Sequence, residues 1–91
     1  MRTTHNWTLL QVYKNYYDFD KELYSLPDEG NTSVDMRLTF DTDLRTCYYC
    51  ISLHNDDGNT RDWEKTHYVP WAVGLAMLRV DNINIPEELT K

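Results

Sequence analysis

Strict alternation of apolar and polar residues in the middle of the chain is the feature that most limits how it can fold. Residues 34–40 place an apolar side chain at every second position, with polar or charged residues between them. A period of two is typical of a strand with one buried face. A second alternating segment, residues 47–53, follows turn-forming residues at 41–44. The two segments predict an antiparallel hairpin with strands at about residues 33–41 and 45–54.

The segments after this hairpin predict a third strand and a helix. The Asp-Gly pair within residues 55–59 is a strong turn signal, so we expect a third strand at about residues 60–68. Pro70 fits the first position of a helix, and the apolar residues after it predict a buried helix at about residues 70–80. A short tail, residues 83–91, completes the chain.

The first segment, at about residues 6–26, is predicted as an amphipathic helix. Its apolar and aromatic residues, beginning with Trp7 and Leu10, recur at spacings of three, four or seven. Pro27 and the turn-forming residues after it would end the helix, although the aromatic content would also suit a strand. The predicted fold class is α+β. A single small domain, residues 1–91, would have the order helix, three-stranded antiparallel meander, helix (α-β-β-β-α).

Length and composition exclude several classes of function. The chain of 91 residues is sufficient for one domain. Nothing in it approaches the roughly 18 consecutive apolar residues of a membrane span, and its first residues lack the pattern of a secretory signal. We therefore expect a cytoplasmic protein with no membrane partner, in which Cys47 and Cys50 stay reduced. Without a cluster of Lys and Arg, direct binding to nucleic acid is not expected.

One combination of residues suggests a zinc site: Cys47 and Cys50 together with His54 and His67. A zinc knuckle needs a tight turn that directs both thiolates at one metal ion. Residues three apart in a strand point to opposite faces of the sheet. The predicted strand therefore places one cysteine in the core and the other on the opposite face, and no metal site is predicted.

Calcium binding and catalysis find little support in the sequence. Residues 18–29 resemble a calcium-binding loop, but Leu23 occupies the position where the loop requires glycine. The motifs of phosphate-binding loops and hydrolases are absent, and a Cys–His nucleophile pair would require an accident of folding. We predict no catalytic residue, no enzymatic activity and no cofactor.

The negative charge is concentrated in residues 18–43. This stretch holds eight carboxylates and two basic residues, so it carries the whole formal net charge of −6. The predicted partner-binding residues are these carboxylates and two from the following turn: Asp18, Asp20, Glu22, Asp28, Glu29, Asp35, Asp41, Asp43, Asp56 and Asp57. Concentrated charge of one sign attracts an oppositely charged surface, and nearby tyrosines offer contact area. The alternative is a hydrated surface that only maintains solubility.

Two resemblances to known families extend this interpretation. The predicted order of elements over residues 6–80 is similar to that of double-stranded RNA-binding domains. Those domains bind phosphates with a basic start to their last helix, whereas residues 69–73 contain no Lys or Arg. The short chain, the acidic residues 18–43 and the hairpin at residues 53–59 resemble small acidic phage-encoded inhibitors, including anti-CRISPR proteins. That resemblance implies a nucleic-acid mimic whose partner is a nucleic-acid-binding protein or a nuclease complex.

These observations predict an acidic protein-binding module, an inhibitor that occupies the basic nucleic-acid-binding surface of a partner protein. The alternative is a structural or assembly subunit that self-associates, for example as a homodimer. It would use an exposed sheet face that carries Tyr48, Trp63 and His67.

Overall fold

The chain forms a five-stranded antiparallel sheet followed by two helices, in a computed structural model that describes residues 6–26, 32–54 and 66–90. The strands are β1 (Thr8–Tyr13), β2 (Tyr16–Leu26), β3 (Thr32–Asp41), β4 (Thr46–His54) and β5 (His67–Val69), and the helices are α1 (Trp71–Val80) and α2 (Glu87–Thr90). The strands lie in the sheet in chain order, and each pairs with the next. The sheet is therefore a simple meander.

The helix predicted at residues 6–26 is wrong, because this segment forms the hairpin of β1 and β2. The strands are joined by Lys14 and Asn15, and Lys14 has a left-handed φ of 54°, which allows a tight turn without glycine. Residues 16–22 alternate between the two faces of the sheet, and aromatic residues such as Phe19 favour strand conformation. Pairing of β2 with β3 extends from Tyr16 to Leu26, with one bulge between Glu22 and Tyr24, and gives the backbone of this half of the segment its hydrogen-bond partners.

The predicted order α-β-β-β-α is therefore corrected to five strands followed by two helices in the described part of the chain. The similarity to double-stranded RNA-binding domains over residues 6–80 depended on a leading helix and is withdrawn with it. The structure has strands β3 and β4 and helix α1 where alternation and Pro70 predicted them. Of the third strand predicted at residues 60–68, only the end is described, where β5 begins at His67, and residues 60–65 lie outside the described part of the chain.

One face of the sheet is apolar and packs against α1 and α2. The buried core consists of Trp7, Phe19, Leu38, Phe40, Cys47, Leu75, Leu78 and Leu89. The Phe40 ring meets Phe19 and Trp71 edge-on, with centroids 5.8 and 5.1 Å apart respectively. A Cβ atom at Gly74 would overlap Cys47 Sγ and lie 3.0 Å from the Phe40 ring. The absence of a side chain at Gly74 therefore allows α1 to approach the sheet closely.

Asp81, directly after α1, connects the helix to β2 and to the residue before β1. Its Oδ2 atom accepts a hydrogen bond from the Trp7 backbone amide (3.2 Å) and forms an ion pair with Lys21 Nζ (3.0 Å). The Lys21 ammonium also lies 5.6 Å from the centre of the Trp7 ring. At the other end of α1, the Trp71 indole N–H donates to the Leu89 carbonyl at 2.8 Å. These contacts hold both helices on the apolar face and leave the opposite face to the polar residues.

Candidate functional site

The sheet face opposite the two helices is polar and gathers the acidic residues of β2 and β3. Residues that pair across antiparallel strands share a face. Four rows of paired residues cross it: Tyr13–Tyr16–Asp41–Thr46, Gln11–Asp18–Thr39–Tyr48–Tyr68, Thr8–Asp20–Arg37–Cys50 and Glu22–Asp35–Ser52. These rows contain five carboxylates and one guanidinium group. We call this surface the acidic face.

Asp18 lies in the middle of the acidic face and is 8% exposed. Its Oδ2 atom accepts a hydrogen bond from the Gln11 side-chain amide at 2.8 Å. Its Oδ1 atom accepts one from the Thr39 hydroxyl at 2.7 Å. Both donors are neutral, so they replace water around the carboxylate without cancelling a negative charge. The strand register favours this arrangement, because it places Gln11 of β1 and Thr39 of β3 directly on either side of Asp18.

Asp41 ends β3 and organises the turn that follows. Its Oδ1 atom accepts hydrogen bonds from the backbone amides of Asp43 (3.0 Å) and Leu44 (3.1 Å), the pattern of an Asx turn. The Asn15 side-chain amide donates to the same oxygen. Asp41 is only 4% exposed. Its carboxylate therefore stabilises the hairpin and is not available for direct contact with a partner.

The far end of the acidic face is also buried. Glu22, Asp35 and Ser52 form its last row and are 2%, 5% and 2% exposed. The Ser33 hydroxyl donates a hydrogen bond to Asp35 Oδ1 at 3.1 Å. In the adjacent row, Arg37 pairs with Asp20 in the strand register and is the one basic residue of the four rows.

Exposed tyrosines lie at the other end of the acidic face, in the rows nearest the β1–β2 turn. Tyr13, Tyr16 and Tyr68 are 59%, 36% and 69% exposed. The half-buried Tyr48 ring lies 5.3 Å from the Tyr68 ring, centroid to centroid. Burial, and then the negative charge of Asp18, raises the pKa of the Tyr48 hydroxyl above its ordinary value. We call Tyr13, Tyr16, Tyr48 and Tyr68 the tyrosine group.

The structure thus brings five of the predicted partner-binding residues together on one face: Asp18, Asp20, Glu22, Asp35 and Asp41. Asp43 is exposed in the β3–β4 turn. The remaining four, Asp28, Glu29, Asp56 and Asp57, lie outside the described residues.

Sequence reasoning did not foresee that the carboxylates are mostly buried or that Tyr13 and Tyr68 flank them. The alternation of aromatic and acidic residues from Tyr17 to Asp20 is the signal that could have revealed the face. The spacing of apolar residues at three and four positions obscured it.

The cysteines lie on opposite sides of the sheet, as residues three apart in a strand must. Cys47 is in the core, where burial raises the pKa of its thiol to about 12, so it is a neutral thiol and a poor nucleophile at physiological pH. Cys50 is on the acidic face, with its Sγ atom 3.3 Å from the Thr66 hydroxyl. The His67 ring stacks on Tyr49 at 5.1 Å, and the side chain of His54 lies outside the described part.

Comparisons with known proteins indicate no family for this chain. No family model matches the chain, and neither a curated protein nor a solved structure matches it significantly. Among the described residues, no group of three or more His, Cys, Asp or Glu side chains is arranged to hold a metal ion. Neither described helix is long and apolar enough to cross a membrane.

Proposed function

We propose that this protein is an acidic binding module that docks a basic protein surface on its acidic face. In this proposal it acts as an inhibitor, because a basic surface covered by the module is closed to nucleic acid. The observation that carries the proposal is the convergence of five carboxylates from β2 and β3 on one face, next to the exposed tyrosine group.

The buried carboxylates contribute an electrostatic field rather than contacts. Asp18 and Asp41 accept hydrogen bonds from neutral amide and hydroxyl groups. Negative charge held under a protein surface is screened less than charge in water, where the Debye length is about 8 Å at physiological ionic strength. A field of one sign speeds the encounter with a basic partner and orients it. The face therefore favours a cationic partner even though little carboxylate oxygen is accessible.

In this proposal, the exposed residues around the buried carboxylates make the direct contacts with the partner. Tyr16 and Tyr68 offer ring surfaces on which Arg or Lys side chains can stack. The hydroxyl of each ring adds a hydrogen-bonding group, which is why tyrosine is frequent at the centre of protein interfaces. Asp43, exposed at the tip of the β3–β4 turn, supplies a carboxylate at the same end of the sheet. A ring and a carboxylate together suit a guanidinium group.

The first experiment measures binding of a fluorescent oligo-arginine peptide by anisotropy at low and high salt. We expect the unaltered protein to bind and the double variant Asp43→Lys with Tyr68→Ser to bind about tenfold more weakly. The slope of affinity against salt concentration should also become shallower. Glu87→Lys is the matched control for charge, because Glu87 is exposed on α2, on the other side of the sheet. Failure of the peptide to bind, or equal weakening by Glu87→Lys, would contradict the proposal.

A second experiment tests the inhibitory role with a partner captured from host cells. Adding the protein should release labelled nucleic acid from that partner, and the double variant should release less at the same concentration. Release without dependence on Asp43 and Tyr68 would place the interaction elsewhere on the molecule. We keep the reducing cytoplasm as the proposed compartment, which agrees with a core that contains Cys47 as a free thiol.

Self-association through a sheet face remains the alternative function. Tyr48 and His67, two of the residues predicted for it, lie on opposite faces in the strand register, and Trp63 lies outside the described residues. An assembly of this kind would resist salt, whereas binding to a basic partner weakens as salt is added. Oligo-arginine binding separates the two functions, because an assembly subunit does not require it, and light scattering over a dilution series at two salt concentrations measures the assembly itself.

A further inference from the structure

Strand β1 forms one edge of the sheet, and its outer side pairs with no other strand among the described residues. All six of its residues are exposed, and Leu9, Leu10, Val12 and Tyr13 are 42%, 50%, 50% and 59% exposed. An edge strand with free amide and carbonyl groups and apolar side chains is a template for a further strand. We propose that β1 pairs antiparallel with β1 of a second copy of this chain, which joins two sheets of five strands into one. This inference does not depend on the proposed binding to a basic surface.

The lack of charged side chains in β1 favours a second copy of the chain as its partner. Residues 8–13 contain no charged side chain, although the chain as a whole has a formal net charge of −6. Two identical acidic molecules repel each other, and the repulsion is smallest where neither presents charge. Proteins that remain monomeric commonly protect an edge strand with lysine or proline, and neither occurs in β1.

The register of β1 is also self-complementary. A two-fold axis between Leu10 and Gln11 would pair Leu9 with Val12 of the second copy and Thr8 with Tyr13 of the second copy. The pairing of β1 with β2 places Leu9 and Val12 on the apolar face of the sheet, and Thr8 and Tyr13 on the acidic face. Both of these pairs therefore join residues of the same face, as antiparallel pairing requires, and the central pair joins Leu10 to Gln11 of the second copy.

A β-bulge makes this match possible. The register of β1 against β2 shifts between Leu9 and Gln11, and the extra residue brings Leu9 and Val12 to the same face although they are three positions apart. A partner strand displaced by one residue would pair Leu9 with Gln11 or with Tyr13, which lie on the opposite face. The register that pairs all six residues is thus favoured over both registers displaced by one residue, and it places the acidic faces of both copies on the same side of the joined sheet.

The test is sedimentation equilibrium of the full chain over a wide range of protein concentrations. We expect a monomer–dimer equilibrium that changes little with added salt. The substitution Leu10→Lys should raise the dimer dissociation constant at least about tenfold, because it places two ammonium groups beside the two-fold axis. Val73→Lys is the matched control, since Val73 is 45% exposed on α1 and takes no part in the pairing.

Amide hydrogen exchange locates the interface independently. Exchange in residues 8–13 should slow as protein concentration rises, while exchange in β5, at the other edge, should not. A monomer at all concentrations, a dimer unaffected by Leu10→Lys, or equal weakening by Val73→Lys would each overturn the proposal. Loss of oligo-arginine binding would bear only on the proposed function, so the two can fail separately.

Discussion

The side-chain amide of Asn15 donates a hydrogen bond to Oδ1 of Asp41, which connects the turn between β1 and β2 to the turn between β3 and β4. The backbone reinforces the connection, because the amide and hydroxyl of Thr42 both donate to the Asn15 carbonyl, at 3.0 and 3.1 Å. Two hairpins that are separate in sequence therefore share one hydrogen-bonded end. The tyrosine group lies beside this end, so its geometry depends on these bonds.

The first prediction concerns the stability of this shared end. Asp41→Ala removes the acceptor of two backbone amides and one side-chain amide, and we expect it to lower the free energy of unfolding by about 1–3 kcal/mol. Asn15→Ala should have a smaller effect, and a double-mutant cycle should show coupling between the two positions. Urea denaturation measures both. Asp43→Ala, at an exposed position of the same turn, should change stability by less than about 0.5 kcal/mol. A loss as large as that of Asp41→Ala would refute the stabilising role assigned to the Asp41 hydrogen bonds.

The second prediction concerns the contact of α1 with the sheet. Gly74→Ala would improve helix propensity by about 1 kcal/mol. Its methyl group would nevertheless overlap Cys47 Sγ and crowd the Phe40 ring. Because overpacking a core typically destabilises it by about 1–3 kcal/mol, we expect a net loss of stability, measured as a lower thermal midpoint.

A compensating substitution provides the control for Gly74. Cys47→Ala removes the sulfur atom that the new methyl group would meet. In a chain that carries Cys47→Ala, the change Gly74→Ala should be neutral or stabilising. If Gly74→Ala destabilises both chains equally, the close contact with Cys47 is not the reason for the glycine.

The third prediction concerns pH and the buried thiol of Cys47. Its pKa is raised from 9.0 to about 12 in the folded protein, because burial disfavours the thiolate. The unfolded chain loses this proton near its ordinary pKa, so the stabilising contribution is complete below pH 9.0 and is lost progressively as the pH rises towards 12. Denaturation midpoints in this range should fall more steeply for the unaltered protein than for Cys47→Ala.

Thiol reactivity tests the raised pKa of Cys47 in a second way. At a mildly alkaline pH, a disulfide reagent should modify Cys50 in the folded protein and leave Cys47 unmodified. Both cysteines should react after denaturation. Rapid reaction of Cys47 in the folded state would contradict its burial.

The fourth prediction concerns Asp81, which holds the end of α1 against β1 and β2. Asp81→Ala removes both the ion pair with Lys21 and the acceptor for the Trp7 amide. We expect a loss of about 1–3 kcal/mol in the free energy of unfolding. Asp81→Asn keeps an oxygen acceptor for Trp7 and should retain part of that stability. Asn84→Ala, at an exposed position in the same connection, is the control and should have little effect.

Local patterns in the sequence were sufficient for β3, β4 and α1. Alternation with a period of two places Leu38 and Phe40 on one face and Thr39 and Asp41 on the other, whatever the neighbouring strands do. Pro70 and the apolar run after it likewise favour α1. In the structure, Cys47 and Phe40 lie directly beneath Gly74 of this helix.

Local patterns were insufficient for the first 26 residues. Apolar residues at spacings of three and four also fit two short strands that reverse at Lys14, where the turn lacks the usual Gly or Pro. Pairing with β3 decided between helix and strand, because β2 provides hydrogen-bond partners for the β3 backbone and extends its apolar face. Pairing with a segment distant in sequence overrides local preference, and no window within residues 6–26 contains that information.

The sequence by itself determined the amount and position of the negative charge, because charge is a property of residue identity. Only the tertiary structure decided where that charge lies. Antiparallel register placed Asp18, Asp20 and Glu22 of β2 on the same face as Asp35 and Asp41 of β3, and flanking strands buried most of them. Exposure and proximity depend on which strands become neighbours, and this follows from packing over the whole chain.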